Sequence, residues 1–138
     1  MATGAGGGFG GSFVATGNII PSRFVKLDSG VTGHVAQAGA GDAPFGVSQQ
    51  GTRNPSYSGL QDGFAATTGE NIRVYLENEE CMIEVDAAYN PGQLLKPSTS
   101  GIATASNSDG DQYGAVLLDT AISANQLVKC RVRNGFRG

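Results

Sequence analysis

The chain has 138 residues, of which 15% are charged, and carries a formal net charge of −3. This length predicts one domain with one core and excludes a two-domain enzyme. The acidic balance argues against nucleic acid as the main partner, because phosphate binding requires a clustered basic face. The 22 glycines and the absence of tryptophan are typical of a turn-rich β protein or of a protein whose surface is covered by neighbours.

The N-terminal segment "MATGAGGGFGGSF" is dominated by glycine. Gly6, Gly8 and Gly11 satisfy the pattern G-x-G-x-x-G, but a dinucleotide site needs a strand before these glycines and a helix after them. Here the next residues, "SFVATGN", are typical of a short strand. We therefore predict a flexible arm and first short strand over residues 1–16 and a single β domain over residues 17–138.

Apolar residues alternate with polar ones in ten short segments, and turn-forming residues separate these segments. The predicted strands cover residues 12–16, 23–27, 33–37, 44–49, 71–77, 81–87, 93–97, 101–105, 113–120 and 125–133. No segment of eleven or more residues has a clean apolar stripe with the helical period. The pattern predicts an all-β protein, a compact antiparallel β-barrel or sandwich.

One long segment, residues 51–69, has no strand pattern. Tyr57, Leu60 and Phe64 lie in it. Long loops of this kind are usually functional or disordered. Apolar side chains in a loop need a covering surface, which is either another subunit or the chain's own barrel.

Two acidic clusters lie in turns. Glu77, Glu79 and Glu80 crowd one turn between two predicted strands, and we interpret them as the exposed tip of a hairpin rather than as calcium ligands. Asp109 and Asp111 lack the spacing of an EF-hand loop. They indicate a turn stabilised by aspartate side chains.

We predict no catalytic, cofactor or metal site. His34 is the single histidine, and a triad with Asp28 or Asp42 and Ser29 has no supporting motif, because no nucleophile elbow is present. One histidine and two cysteines without a C-x-x-C pair do not form a zinc site.

Cys81 and Cys130 each lie inside a strand pattern and behave as small buried apolar residues. A disulfide between them is possible if their strands pair, and the sequence leaves this open. The chain shows neither a signal-peptide pattern nor an apolar stretch long enough to span a membrane. We therefore expect a soluble protein made in a cytoplasm.

The basic residues cluster near the C-terminus. Lys129, Arg131 and Arg133 share one face of a predicted strand. This face is solvated, or it is a cross-strand partner for Glu84 and Asp86, or it contacts a partner protein.

The order of these segments follows a recognisable pattern over residues 17–133. An early strand "RFVKL" precedes "GDAPFGV", and a long middle region and a final strand pair follow. The matching residues are Gly41, Asp42, Pro44, Gly46 and Val47, then Val74, Val85, Ala87, Ala88, Pro91, Gly92, Leu94, Leu95, Gly101 and Ala103, and finally Gly114, Ala115, Leu117, Ala121, Leu127 and Val128. The pattern resembles the capsid cement, or head decoration, proteins of tailed bacteriophages.

The resemblance implies a virion structural protein without enzymatic activity or cofactor. It implies a homotrimer that binds the major capsid protein on the outer capsid surface, at three-fold and quasi-three-fold junctions, and stabilises the expanded head against DNA pressure. Direct contact with nucleic acid or a membrane is not expected. The alternative is a trimeric β-sandwich binding module, either lectin-like or a tail or fibre domain.

Five apolar residues are the candidate contacts with the capsid or with a neighbouring subunit. Phe9 and Phe13 would anchor the glycine-rich arm if it adds a strand to a neighbour, and each buried ring would contribute roughly 1.5–3 kcal/mol. Tyr57, Leu60 and Phe64 are the candidates in the long loop.

Overall fold

The computed structural model describes residues 11–49 and 64–137. Within these ranges the chain forms ten strands and one 3₁₀ turn, so the all-β prediction is confirmed. The strands are β1 Gly11–Ala15, β2 Phe24–Leu27, β3 His34–Gln37, β4 Gly46–Ser48, β5 Asn71–Tyr75, β6 Glu80–Glu84, β7 Leu94–Pro97, β8 Ala103–Ala105, β9 Gln112–Leu117 and β10 Leu127–Phe136. The 3₁₀ turn, Thr99–Gly101, lies between β7 and β8.

The first five strands form a closed barrel in the order β1-β3-β2-β4-β5, in which β5 pairs with β1. The β1–β3 pair is parallel, and the other barrel pairs are antiparallel. The barrel core consists of small and β-branched residues with a rim of larger ones. Its buried members are Ala15, Ile19, Val25, Val35, Ala65, Ala66, Ile72 and Val74.

The remaining strands form a second, antiparallel sheet in the order β6-β10-β9-β7-β8. Its two edge strands meet, because Val85, just after β6, forms a parallel bridge to Ala103 of β8. The Asp86 amide also donates a hydrogen bond to the Ala103 carbonyl at 3.0 Å. The buried cluster under this sheet includes Phe24 and Val47 from barrel strands, so the barrel packs directly against the second sheet.

Two glycines allow close packing, Gly46 between neighbouring strands of the barrel and Gly114 between the barrel and the second sheet. A Cβ on Gly46 would overlap the Tyr75 carbonyl oxygen, and a Cβ on Gly114 would lie 2.7 Å from both the Phe24 ring and Pro44. Gly114 coincides with an irregularity in the β9–β10 register. Packing therefore requires glycine at both positions. Gly46 and Gly114 are also among the residues that carry the resemblance to cement proteins.

A largely buried ion pair joins the barrel to the second sheet. Arg23, just before β2, bonds Glu84 at the end of β6 through Nη2 at 3.1 Å and Nε at 3.3 Å. Its Nη1 also donates to the Ser100 carbonyl at 2.9 Å. The two side chains are only 11% and 19% exposed. The Glu84 amide in turn donates to the Ser22 carbonyl, so charge and backbone together fix this junction.

The acidic turn before β6 differs from its predicted form. It is not a hairpin tip, because β5 belongs to the barrel and β6 to the second sheet. Glu79 accepts a hydrogen bond from the Leu76 amide at 2.6 Å, and Glu77 accepts one from the Asn134 amide at 2.9 Å. These carboxylates stabilise the crossing between the sheets. The other acidic turn has its predicted form, since Asp111 accepts from the Ser108 amide at 3.1 Å.

Candidate interaction surfaces

Three exposed apolar side chains lie among charged ones on the solvent-facing side of the second sheet. By register, Lys129 of β10 lies between Met82 of β6 and Leu118, which follows β9, and Leu127 lies diagonally beside both. We call this surface the outer sheet face and define it by Glu80, Met82, Leu118, Leu127, Lys129, Arg131 and Arg133. The exposed fractions of its apolar members are 47% for Met82, 36% for Leu118 and 50% for Leu127. Ile122, in the adjoining β9–β10 connection, is 76% exposed.

Glu80 organises the charges of the outer sheet face. It accepts hydrogen bonds from Arg131 and pairs with Lys129 at 3.3 Å, and these two bonds hold the pKa of Glu80 below its usual value. No ion pair involves Arg133 in the part of the chain that the structure describes. The face therefore carries more positive than negative charge.

The prediction that Glu84 and Asp86 are the cross-strand partners of these basic residues is wrong. The register places Leu127 opposite Glu84 and Arg131 opposite Glu80. Glu84 bonds Arg23 instead, and Asp86 accepts a hydrogen bond from the Tyr89 hydroxyl. The observed partner, Glu80, thus lies four residues before the expected partner, Glu84, on β6.

A cleft of about 390 Å³ lies where the barrel meets the second sheet. Its polar wall includes Asp42 and the Lys96–Asp111 pair, whose Nζ and Oδ2 atoms are 3.1 Å apart. The Ser108 amide, followed by Lys96, lowers the pKa of Asp111. Phe136, 72% exposed, supplies an apolar wall. The cleft thus combines an aromatic side chain with hydrogen-bonding groups, a combination that suits a small polar ligand or a peptide side chain.

A second recess of about 320 Å³ shares Gln112 with this cleft. Its other lining residues come from the barrel and are Lys26, Leu27, Ala43, Pro44 and Phe45. Lys26 pairs with Asp42 at 3.1 Å. The Gly39 amide, followed by Lys26, lowers the pKa of Asp42.

Two of the five predicted contact residues lie in the described ranges. Phe13 packs against the barrel core, and its ring meets the Phe45 ring edge to face with the centroids 5.4 Å apart. Phe64 is half-buried and directly precedes Ala65 and Ala66, which are fully buried. The remaining three, Phe9, Tyr57 and Leu60, lie outside the described residues, as does the glycine-rich segment 1–10. The capsid contacts of all five stay predictions.

The surroundings of His34 differ from those of a catalytic base. Its Nδ1 lies 3.3 Å from the hydroxyl of Thr16, and that hydroxyl donates to Asp28 at 2.8 Å. Asp28 thus binds a hydroxyl rather than the imidazole that it would orient in a triad. Its pKa is lowered by the Gly30 amide and then by Thr16.

The two cysteines face each other across β6 and β10. Cys81 and Cys130 are directly opposite in the register, their sulfur atoms are 3.6 Å apart, and both thiols are free. The contact with Cys130, together with burial, raises the pKa of Cys81. The strands therefore pair as a disulfide would require, and the residues pack as buried thiols.

The described ranges, 11–49 and 64–137, hold neither a candidate metal site nor a candidate membrane-spanning helix. They contain no group of three or more His, Cys, Asp or Glu side chains that could hold a metal ion. None of their helices is long and apolar enough to cross a bilayer.

Sequence reasoning did not identify the exposed apolar residues Met82, Leu118, Ile122, Leu127 and Phe136. The sequence pattern could have identified Met82 and Leu127, because both occupy positions at which their alternating strands otherwise carry exposed polar residues. An apolar residue at such a position lies on the solvent side of a one-sided sheet.

Comparison with known proteins gave a structural neighbour. No family model and no curated protein sequence matches the chain. Among solved structures, the N base of head fibre gp8.5 of bacteriophage phi29 is similar, with a TM-score of 0.60 over 90% of this chain and 92% of that chain. The two sequences are 14% identical, so the likeness shows a shared fold.

Proposed function

We propose that this protein is a structural component of a tailed-bacteriophage head. It binds the outer surface of the capsid as a homotrimer at three-fold and quasi-three-fold junctions, where it acts as a cement protein. Its partners are the major capsid protein and its own copies. It requires no cofactor and performs no catalysis.

The observation that carries the proposal is the fold likeness to the base of a phage head fibre, which extends over nearly the whole of both chains. The sequence resemblance to cement proteins is independent support, because it rests on turn and strand motifs rather than on the fold. Gly46 and Gly114 belong to those motifs, and both are positions where packing leaves no room for a side chain.

Physical chemistry explains how such a protein would work. A ligand that binds only the expanded lattice stabilises that lattice by mass action. A trimer that contacts several capsid subunits gains avidity, since the second and third contacts form at high effective concentration. A barrel joined to a second sheet by a largely buried ion pair is rigid enough to span neighbouring subunits.

The direct test is co-sedimentation of the purified full chain with expanded heads that lack it, combined with its native mass in solution. We expect saturable binding at a fixed number of copies per junction and the mass of a trimer. Heads with bound protein should resist heat or chelator treatment that disrupts bare heads. A monomer that does not sediment with heads would refute the proposal.

The second candidate is a binding module, either the base of a fibre or a lectin-like domain. The cleft between barrel and sheet favours it, because Phe136 and the polar groups around Lys96 and Asp111 form a site of suitable size. Screening the full chain against a glycan panel tests this candidate. Binding that is lost in a Phe136→Ala variant, with no affinity for heads, would favour the module over cement.

A further inference from the structure

We propose that the outer sheet face is the surface that docks on the capsid, and that the capsid surface it meets is acidic and partly apolar. This inference rests on the proposed function for the identity of the partner. It concerns residues on β6, β9 and β10, none of which was among the five predicted contacts.

Exposed apolar side chains lie next to one another on the outer sheet face. In an antiparallel sheet with one buried face, the other face is normally polar. Here Met82, Leu118 and Leu127 lie together on the solvent side. A contiguous exposed apolar surface with polar residues around it marks a protein interaction site.

The outer sheet face is basic, although the chain as a whole is acidic. The chain as a whole carries −3, whereas the outer sheet face carries Lys129, Arg131 and Arg133 against Glu80. Glu84, opposite Leu127 on the same side of the sheet, is already neutralised by Arg23. A basic surface favours a partner surface of opposite, acidic charge. The complementary surface on the capsid must therefore present carboxylates.

Two of the basic groups on the outer sheet face are held in position before docking. Glu80 holds Lys129 and Arg131 over the middle strand of the face, so docking loses little additional side-chain entropy. The same bonds favour a protein over a nucleic acid. Glu80 engages two of the three basic groups, whereas phosphate binding needs free cations.

The test uses the full chain, heads that lack it, and two pairs of matched variants. Leu127→Ser and Arg133→Glu alter the outer sheet face. Leu27→Ser and Arg73→Glu make the same chemical changes on the barrel, where Leu27 is 51% exposed against 50% for Leu127, and Arg73 is likewise exposed. The urea midpoint of each variant shows whether it is folded, and its native mass shows whether it assembles as the wild type does.

We expect each outer-face variant to bind heads at least tenfold more weakly than the wild type, and each barrel variant to bind within twofold of it. Arg133→Glu should also weaken the dependence of binding on salt concentration, because it removes an attractive charge. Neutralising carboxylates on the capsid surface should reproduce this loss in the wild type.

The experiment distinguishes a failure of the proposed function from a failure of the docking face. If the wild type does not bind heads, the proposed function fails and takes this inference with it. If the wild type binds and the outer-face variants bind equally well, the capsid role stands and the docking face is wrong. If Leu127→Ser or Arg133→Glu lowers the native mass, the face joins copies of this chain, and that outcome also overturns the inference.

Discussion

Removing the guanidinium of Arg23 should destabilise the whole protein, because this group is the main charged contact between the barrel and the second sheet. In Arg23→Met the apolar stem remains, while Glu84 and the Ser100 carbonyl lose their donors. Breaking a buried pair by removing one partner costs about 3–5 kcal/mol. Since the side chains retain 11% and 19% exposure, we expect the lower end, about 3 kcal/mol.

Urea unfolding followed by circular dichroism measures this loss. With a slope of roughly 2 kcal/mol per molar urea, the midpoint should fall by about 1.5 M. A double-mutant cycle with Glu84→Gln should show a coupling energy of about 1–3 kcal/mol, because the two side chains contact each other directly. The control is Lys26→Met, which breaks the 3.1 Å pair with Asp42. That pair is well exposed, so its loss should cost less than about 1 kcal/mol.

Two outcomes would contradict this prediction. A midpoint for Arg23→Met equal to that of Lys26→Met would mean that burial does not strengthen the junction. Strict additivity with Glu84→Gln would mean that the two side chains do not interact.

Three further predictions concern packing, pH and the thiols. Gly46→Ala should lower the free energy of unfolding by about 1–3 kcal/mol through overpacking, whereas Gly30→Ala, which meets only ordinary contacts, should stay within about 0.5 kcal/mol of the wild type. The carboxylates with lowered pKa, Asp111 among them, stabilise the folded state above their unfolded pKa and lose this effect as the pH falls through their folded pKa. The urea midpoint should therefore drop on acidification below about pH 4. Asp111→Asn should reduce this drop. An equal drop in the variant and the wild type would contradict the role given to Asp111. Cys81 and Cys130 should react with a thiol reagent in unfolded protein and far more slowly in native protein, since burial and the raised pKa of Cys81 disfavour the thiolate; equal rates, measured by mass spectrometry, would show that the thiols are accessible.

The strands themselves were predictable from local pattern. Each observed strand overlaps a predicted one, because alternation with period two and glycine-rich turns are local properties of the chain. The same alternation placed Cys81 and Cys130 among the buried residues. It also placed Lys129, Arg131 and Arg133 on the outward side of one strand, where the structure has them.

The partners of those strands were not predictable in the same way. The turn at Glu77–Glu80 has the composition of a hairpin tip, yet it carries the chain from the barrel into the second sheet. The parallel pair of β1 and β3 and the choice of Glu80 over Glu84 as the partner of the basic residues depend on registers between distant segments. Alternation specifies which side of a strand is buried, but it does not specify the neighbour or the register.

The sequence by itself therefore determined the all-β class, the approximate strands and the buried phase of each one. Only the tertiary structure decided that these strands form a closed barrel and a second sheet, and that Arg23 and Glu84 join them. It also brought Met82, Leu118 and Leu127 together on one exposed face. The physical reason is that side-chain alternation is set within a few residues, whereas pairing is set by contacts between residues far apart in the chain.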